Sequence, residues 1–181
     1  MSGNDGIIAW GTGFSASGGE TVHFVVGIPT PANDLANLAI SNPVGTYTLI
    51  GGTSPTLRDG FSGTTFTGTL TGATLTANFS TRLVDASVAM KFNLGSASMA
   101  INVAGTTMSI LGSSFAGFFS GSGSCTITGG SCSPNFLNMQ GFFAGPNAIR
   151  AGLVYDVSVS GSTGNTSISG NAIGAAAFAK R

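Results

Sequence analysis

Between Thr65 and Phe92 this chain trades small polar residues against apolar ones almost without a slip. Phe66, Gly68 and Leu70 fall on one side, Thr65, Thr67, Thr69 and Thr71 on the other. The pattern resumes with Ala73, Leu75, Ala77 and Phe79 against Thr74, Thr76, Asn78 and Ser80. It resumes again with Val84, Ala86, Val88, Met90 and Phe92 against Asp85, Ser87, Ala89 and Lys91. Side chains alternate faces along a strand, so a period of two specifies sheet with one buried face. A chain built this way has little choice but to be all-β.

The rest of the chain supports that class. Strands are expected near residues 7–10, 21–28 and 46–50, with Pro29 and Pro31 ending the second because proline cannot donate to a ladder. Residues 33–40 form the one helical turn, with Asn33 or Asp34 as cap and Leu35, Leu38 and Ala39 on one side. Residues 55–63 read as a loop carrying Arg58 and Asp59. The long meander breaks near Gly72, at 80–82 and at Gly105. A short strand follows at 115–119, then a Gly/Ser loop over 120–135. Three last strands occupy 136–144, 150–159 and 167–179. Many short strands with Gly-rich turns imply a sandwich or a barrel. An antiparallel β-barrel of about eight strands is expected, because closure removes edges that a chain so poor in lysine could not defend. Residues 1–44 would supply short N-terminal strands and the helical turn, packed on a barrel of residues 45–181.

Composition narrows the function. Only 7% of the residues are charged, against about 25% in ordinary soluble proteins. Six basic and six acidic side chains cancel, so no basic patch is available to nucleic acid. No apolar run reaches the roughly 18 residues of a membrane-spanning helix. Near-zero net charge gives little protection against self-association.

Few residues carry candidate chemistry. Cys125 and Cys132 are separated by TITGGS, and Gly129-Gly130 can turn the chain back. A disulfide is expected rather than two buried thiols, which implies an oxidising compartment. The segment from Met1 does not read as a secretory leader, so an extracytoplasmic location is inferred from composition and the cysteine pair. His23 is the one histidine; it alternates against Val22 and Phe24 and reads as a structural or surface residue. Asp85 and Asp156 lie on the outward phase, near cross-strand partners such as Lys91 or Arg150. No acid–base pair, serine triad, zinc set or phosphate loop is argued by these spacings, so no catalytic residue, metal or cofactor is assigned. Trp10, Phe14, Tyr47 and Phe61 are candidates for an aromatic patch near one end. In Phe118-Phe119 and Phe142-Phe143 one ring of each pair must leave the core. The expected partner surface is therefore Trp10, Phe14, Phe118 and Phe142, unless the N-terminal segment covers the outer rings.

The stretch from Met139 to Tyr155, with Gly141, Phe143, Gly145, Pro146, Ala148 and Gly152, resembles the barrel motif of the transferrin-binding-protein-B-like family, of the form G-x-F-x-G-P-x-A, turn, glycine, strand. The terminal strand from Ile168 to Phe178 is similar to that family's closing strand. Asp5–Trp10, His23–Thr30 and Tyr47–Pro55 are similar to the C-terminal region of bacterial FecR-domain proteins. The resemblance implies an exported or cell-surface barrel of a Gram-negative envelope that binds a host protein, such as an iron protein, or captures haem; with the low charge and the outward rings, a non-enzymatic module that binds a protein or builds a surface assembly is expected. A small outer-membrane barrel is the further alternative, against which the Thr-rich outward face argues.

Overall fold

A computed structural model describes residues 2–15, 21–121, 123–164 and 166–181. Three short strands come first: β1 (Gly3–Asn4), β2 (Ile8–Phe14) and β3 (Thr21–Gly27), followed by helix α1 (Ala32–Ser41). Then come β4 (Val44–Gly52), β5 (Thr56–Asp59), β6 (Thr65–Asn78), β7 (Leu83–Asn93), β8 (Ser98–Leu111), β9 (Ser114–Ser120), β10 (Gly123–Ile127), β11 (Gly130–Ala144), β12 (Arg150–Thr163) and β13 (Thr166–Lys180). The second group pairs antiparallel in the order β8-β7-β6-β4-β13-β12-β11-β9, and β9 returns to β8. This closes a ring of eight strands. β5 continues the place of β4, pairing with the same two neighbours.

The alternation survives in the structure, with slips that have a physical use. On β6 the inward set runs Phe66, Gly68, Leu70 and then Ala73, Leu75, Ala77. A bulge between Leu70 and Gly72 absorbs the extra residue, so the strand bends there rather than breaking. On β8 the inward set passes from Val103 to Met108 and Ile110. The irregularity is held by Thr107, whose φ is 57°. Asp85 Oδ1 accepts the Thr107 N–H at 2.7 Å. Asp85 therefore serves a bulge, not a cross-strand ion pair with Lys91.

Residues 123–127 and 130–135 are strand, not loop. Their glycines and serines lack strand propensity, but β10 is carried by ladder bonds to β8 and the start of β11 by bonds to β12. Residues 56–59 likewise form a strand because β6 and β13 flank them. Tertiary pairing outweighs weak local preference in both places.

The interior is filled. Phe143 sits among Tyr47, Phe79 and Phe115, with ring centroids 5.8, 5.1 and 5.2 Å away. Tyr155 lies across Gly174, where a Cβ would come within 2.2 Å of its hydroxyl. Glycine in the Gly/Ala-rich last strand is what permits that close approach. Helix α1 covers the barrel end beside the turn at Pro146–Ala148, with Leu38 in the core. Neither Asn33 nor Asp34 caps it: Pro31 precedes the helix and no side chain closes its first turn. Asp34 lies inside the helix and its carboxylate accepts the Asn147 N–H at 2.8 Å instead.

Candidate functional site

The two cysteines form a disulfide with Cα atoms 5.4 Å apart. Its position explains its use. β9 separates β8 from β11 only up to Ser120; beyond that, β10 lies on β8 and faces β11. Among the described residues no ladder joins β10 to β11, and the Sγ–Sγ bond spans the seam.

His23 is buried. Its Nδ1 lies 2.8 Å from Thr53 Oγ1 and its Nε2 2.9 Å from Thr56 Oγ1. Both ring nitrogens are thus engaged in holding β3 to the barrel wall. Burial holds the imidazole below its ordinary value of 6.5. The neutral ring is the folded form, so docking has full strength above that pH. As the pH falls below about 6.5 the unfolded chain takes up the proton first, and stability is lost down to the folded-state value. Urea midpoints measured from pH 7.5 to 5 should fall in the wild type, and His23→Gln should flatten that segment; parallel curves would contradict the assignment.

The carboxylates are similarly structural. Asp59 accepts from the N–H groups of Phe61, Ser62 and Ser169 and from the Ser62 hydroxyl. The Ser62 hydroxyl bond, foremost, holds its carboxyl below the usual value. Arg150 pairs with Asp5, not with Asp156. Asp156 Oδ2 accepts from Asn171 Nδ2 at 3.4 Å, while its Oδ1 is buried with no partner among the described residues. Burial pushes this carboxyl up, with the Asn171 bond acting the other way. Among the described residues no group of three His, Cys, Asp or Glu side chains could hold a metal, and no helix is long and apolar enough to cross a membrane.

The expected aromatic surface divides. Trp10 lies flat on Gly3 and Gly51, where any Cβ would meet its ring within about 2.3 Å; it fastens β2 to the wall. Tyr47 is buried and donates to the Ala148 carbonyl at 2.8 Å, so it belongs to the barrel end and not to a patch. Phe14 and Phe61 are exposed. Phe142 is half-buried under the N-terminal sheet, beside Gly27 and Gly152. The sheet covers that outer ring but not the other. Phe118 is 66% exposed and stacks on Phe136, 49% exposed, at 5.6 Å.

Phe136 escapes a reading of adjacent pairs. A bulge between Pro134 and Phe136 shifts the phase of β11 and turns this ring outward. Around the stack the wall carries Ser120, Asn138 and Ser158 as register partners. The outer face of β3 is also apolar: Val22, Phe24 and Val26 are all exposed. Its period of two was visible in the sequence; which side faces the barrel was not.

No protein-family model matches the chain, and no curated protein matches it.

Proposed function

We propose that this barrel is a non-catalytic module that acts outside the cytoplasm by binding protein, either a partner or copies of itself, in the manner implied by the resemblance to transferrin-binding-protein-B-like barrels. The observation that carries the reading is the Phe118–Phe136 stack. Two phenylalanines held in contact among Ser120, Asn138 and Ser158 are costly to hydrate, and exposed apolar groupings of this kind mark interfaces. The disulfide favours an oxidising compartment. The water-facing Thr65, Thr67, Thr69, Thr74 and Thr76 favour an aqueous setting over a lipid one.

The test compares wild type with the Phe118→Ser/Phe136→Ser variant. Both should keep the same circular dichroism, with the variant's melting temperature lower by no more than a few degrees, since neither ring is in the core. Sedimentation velocity over a concentration series, with and without envelope proteins of the source cell, should show association by the wild type that the variant loses. A wild type that stays monomeric and unassociated throughout would end this reading.

A further inference from the structure

β3 is the last strand of the order β1-β2-β3. Among the described residues one side of its backbone has no strand partner. Its far end is fixed to the barrel: Thr30 N–H donates to the Phe143 carbonyl and Gly145 N–H to the Ile28 carbonyl, each at 2.9 Å. From there β3 crosses the outer wall obliquely, Val25 resting over Gly152 and His23 bonding to Thr53 and Thr56.

A groove of about 520 Å³ runs beside the unpaired edge. Val25, Val26 and Gly27 form one side, and Gln140, Phe142 and Val154 lie on the wall. Two residues beyond Val154, on the same outward phase, is Asp156; its register partner is Asn138, which in turn pairs with Phe118. Two residues of strand span about 7 Å and neighbouring strands lie about 4.8 Å apart. A chain added to β3 comes down along Gln140 and Val154 and, continuing in line, toward Asp156, which lies beyond the groove's lining.

We infer that this groove takes an extended, mostly apolar peptide segment of a partner protein, which adds a strand to β3 and sets one Lys or Arg against Asp156. The inference rests on the protein-binding reading above and names its site and the chemistry of its ligand. The unpaired edge supplies main-chain hydrogen bonds, as in other cases of strand addition. The floor takes β-branched or aromatic side chains at alternate positions. Charge complementarity fixes the basic residue: the Asp156 carboxylate stands next on the wall beyond Val154, its exposed Oδ2 taking only a 3.4 Å bond from Asn171 among the described residues, and a cation's N–H groups would add to it. A second copy of the barrel is not the occupant. Its own β3 is fastened to its own wall by His23 and Val25, so its edge cannot descend into the groove. The segment must be free of any sheet before it binds.

The probes are four capped ten-residue peptides of alternating Thr and Val with a central Lys, Arg, Gln or Glu, titrated into the full chain by fluorescence anisotropy. The Lys and Arg peptides should bind at least about tenfold more tightly than the Glu peptide, and Asp156→Asn should erase that preference. A Lys peptide N-methylated at alternate residues should not bind, because it cannot donate to an edge. Binding should slow amide exchange across β3. Equal affinity for all four peptides, or retained affinity after N-methylation, overturns the inference. Should the Phe118→Ser/Phe136→Ser variant lose association while none of the peptides binds, the barrel binds protein by its aromatic wall and the β3 edge is not the site. Should the wild type also fail to associate with anything, the protein-binding reading falls with it.

Discussion

Phe143→Ala should destabilise the barrel by about 4 kcal/mol, lowering Tm by roughly 10 °C for a chain of this size. Phe143 is fully buried and lies within 6 Å, centroid to centroid, of three other rings. Its removal leaves a space that Tyr47 cannot collapse into, because that ring is tied by its hydroxyl to the Ala148 carbonyl. Phe118→Ala removes the same atoms from a side chain that water already reaches, and should cost under about 1 kcal/mol. Equilibrium urea unfolding of the two variants provides the comparison. Equal losses would show that the barrel end is not packed as described.

The second large effect belongs to the disulfide. Replacing both cysteines by serine, or reducing them, should cost about 2–3 kcal/mol for a loop this short. The location of the loss matters as much as its size. Among the described residues β10 has a ladder on β8 alone, so without the Sγ–Sγ bond it is held on one side. Hydrogen exchange should accelerate over residues 123–127 well before it changes in β6 or β7, since local opening follows the least-bonded unit. The fold itself should persist, because the ring between β8 and β11 also closes through β9. An unchanged melting temperature together with unchanged exchange in β10 would mean that the seam is held by something else.

These outcomes separate two kinds of exposed or buried aromatic that look alike in the chain. Phe118-Phe119 and Phe142-Phe143 are the same dipeptide in the same kind of strand, and alternation dictates that each splits between two faces. Phe119 turns to Met108 and Met139, and Phe143 to the core, as that rule requires. What becomes of the outer ring depends on a segment more than a hundred residues away. β3 lies over Phe142 and does not reach Phe118. Trp10 shows the converse: a lone tryptophan suggests a contact surface, yet Gly51 offers it a flat seat on the barrel.

The groove and the orphan oxygen of Asp156 were beyond local reading for the same reason. An aspartate on the outward phase of β12 looks like any solvated strand charge. It becomes distinctive once Arg150, its nominal partner, is found paired with Asp5, and once its Oδ1 is buried. The loop assigned to residues 120–135 failed differently. Ser and Gly carry almost no strand preference of their own, so the strands there exist only by virtue of their neighbours.

The amino-acid order alone settled that this is an all-β protein, which side chains share a face over most of the long strands, and that Cys125 and Cys132 could be bridged. Each of those depends on residues close together in the chain, where period, turn chemistry and spacing are sufficient physics. The bulges that keep alternation aligned around the ring, the seam the disulfide spans, the helix lying over the barrel end and the aromatic stack left open to water were decided only when distant segments met. Burial is a property of what lies on the other side of a side chain, and no local pattern records it.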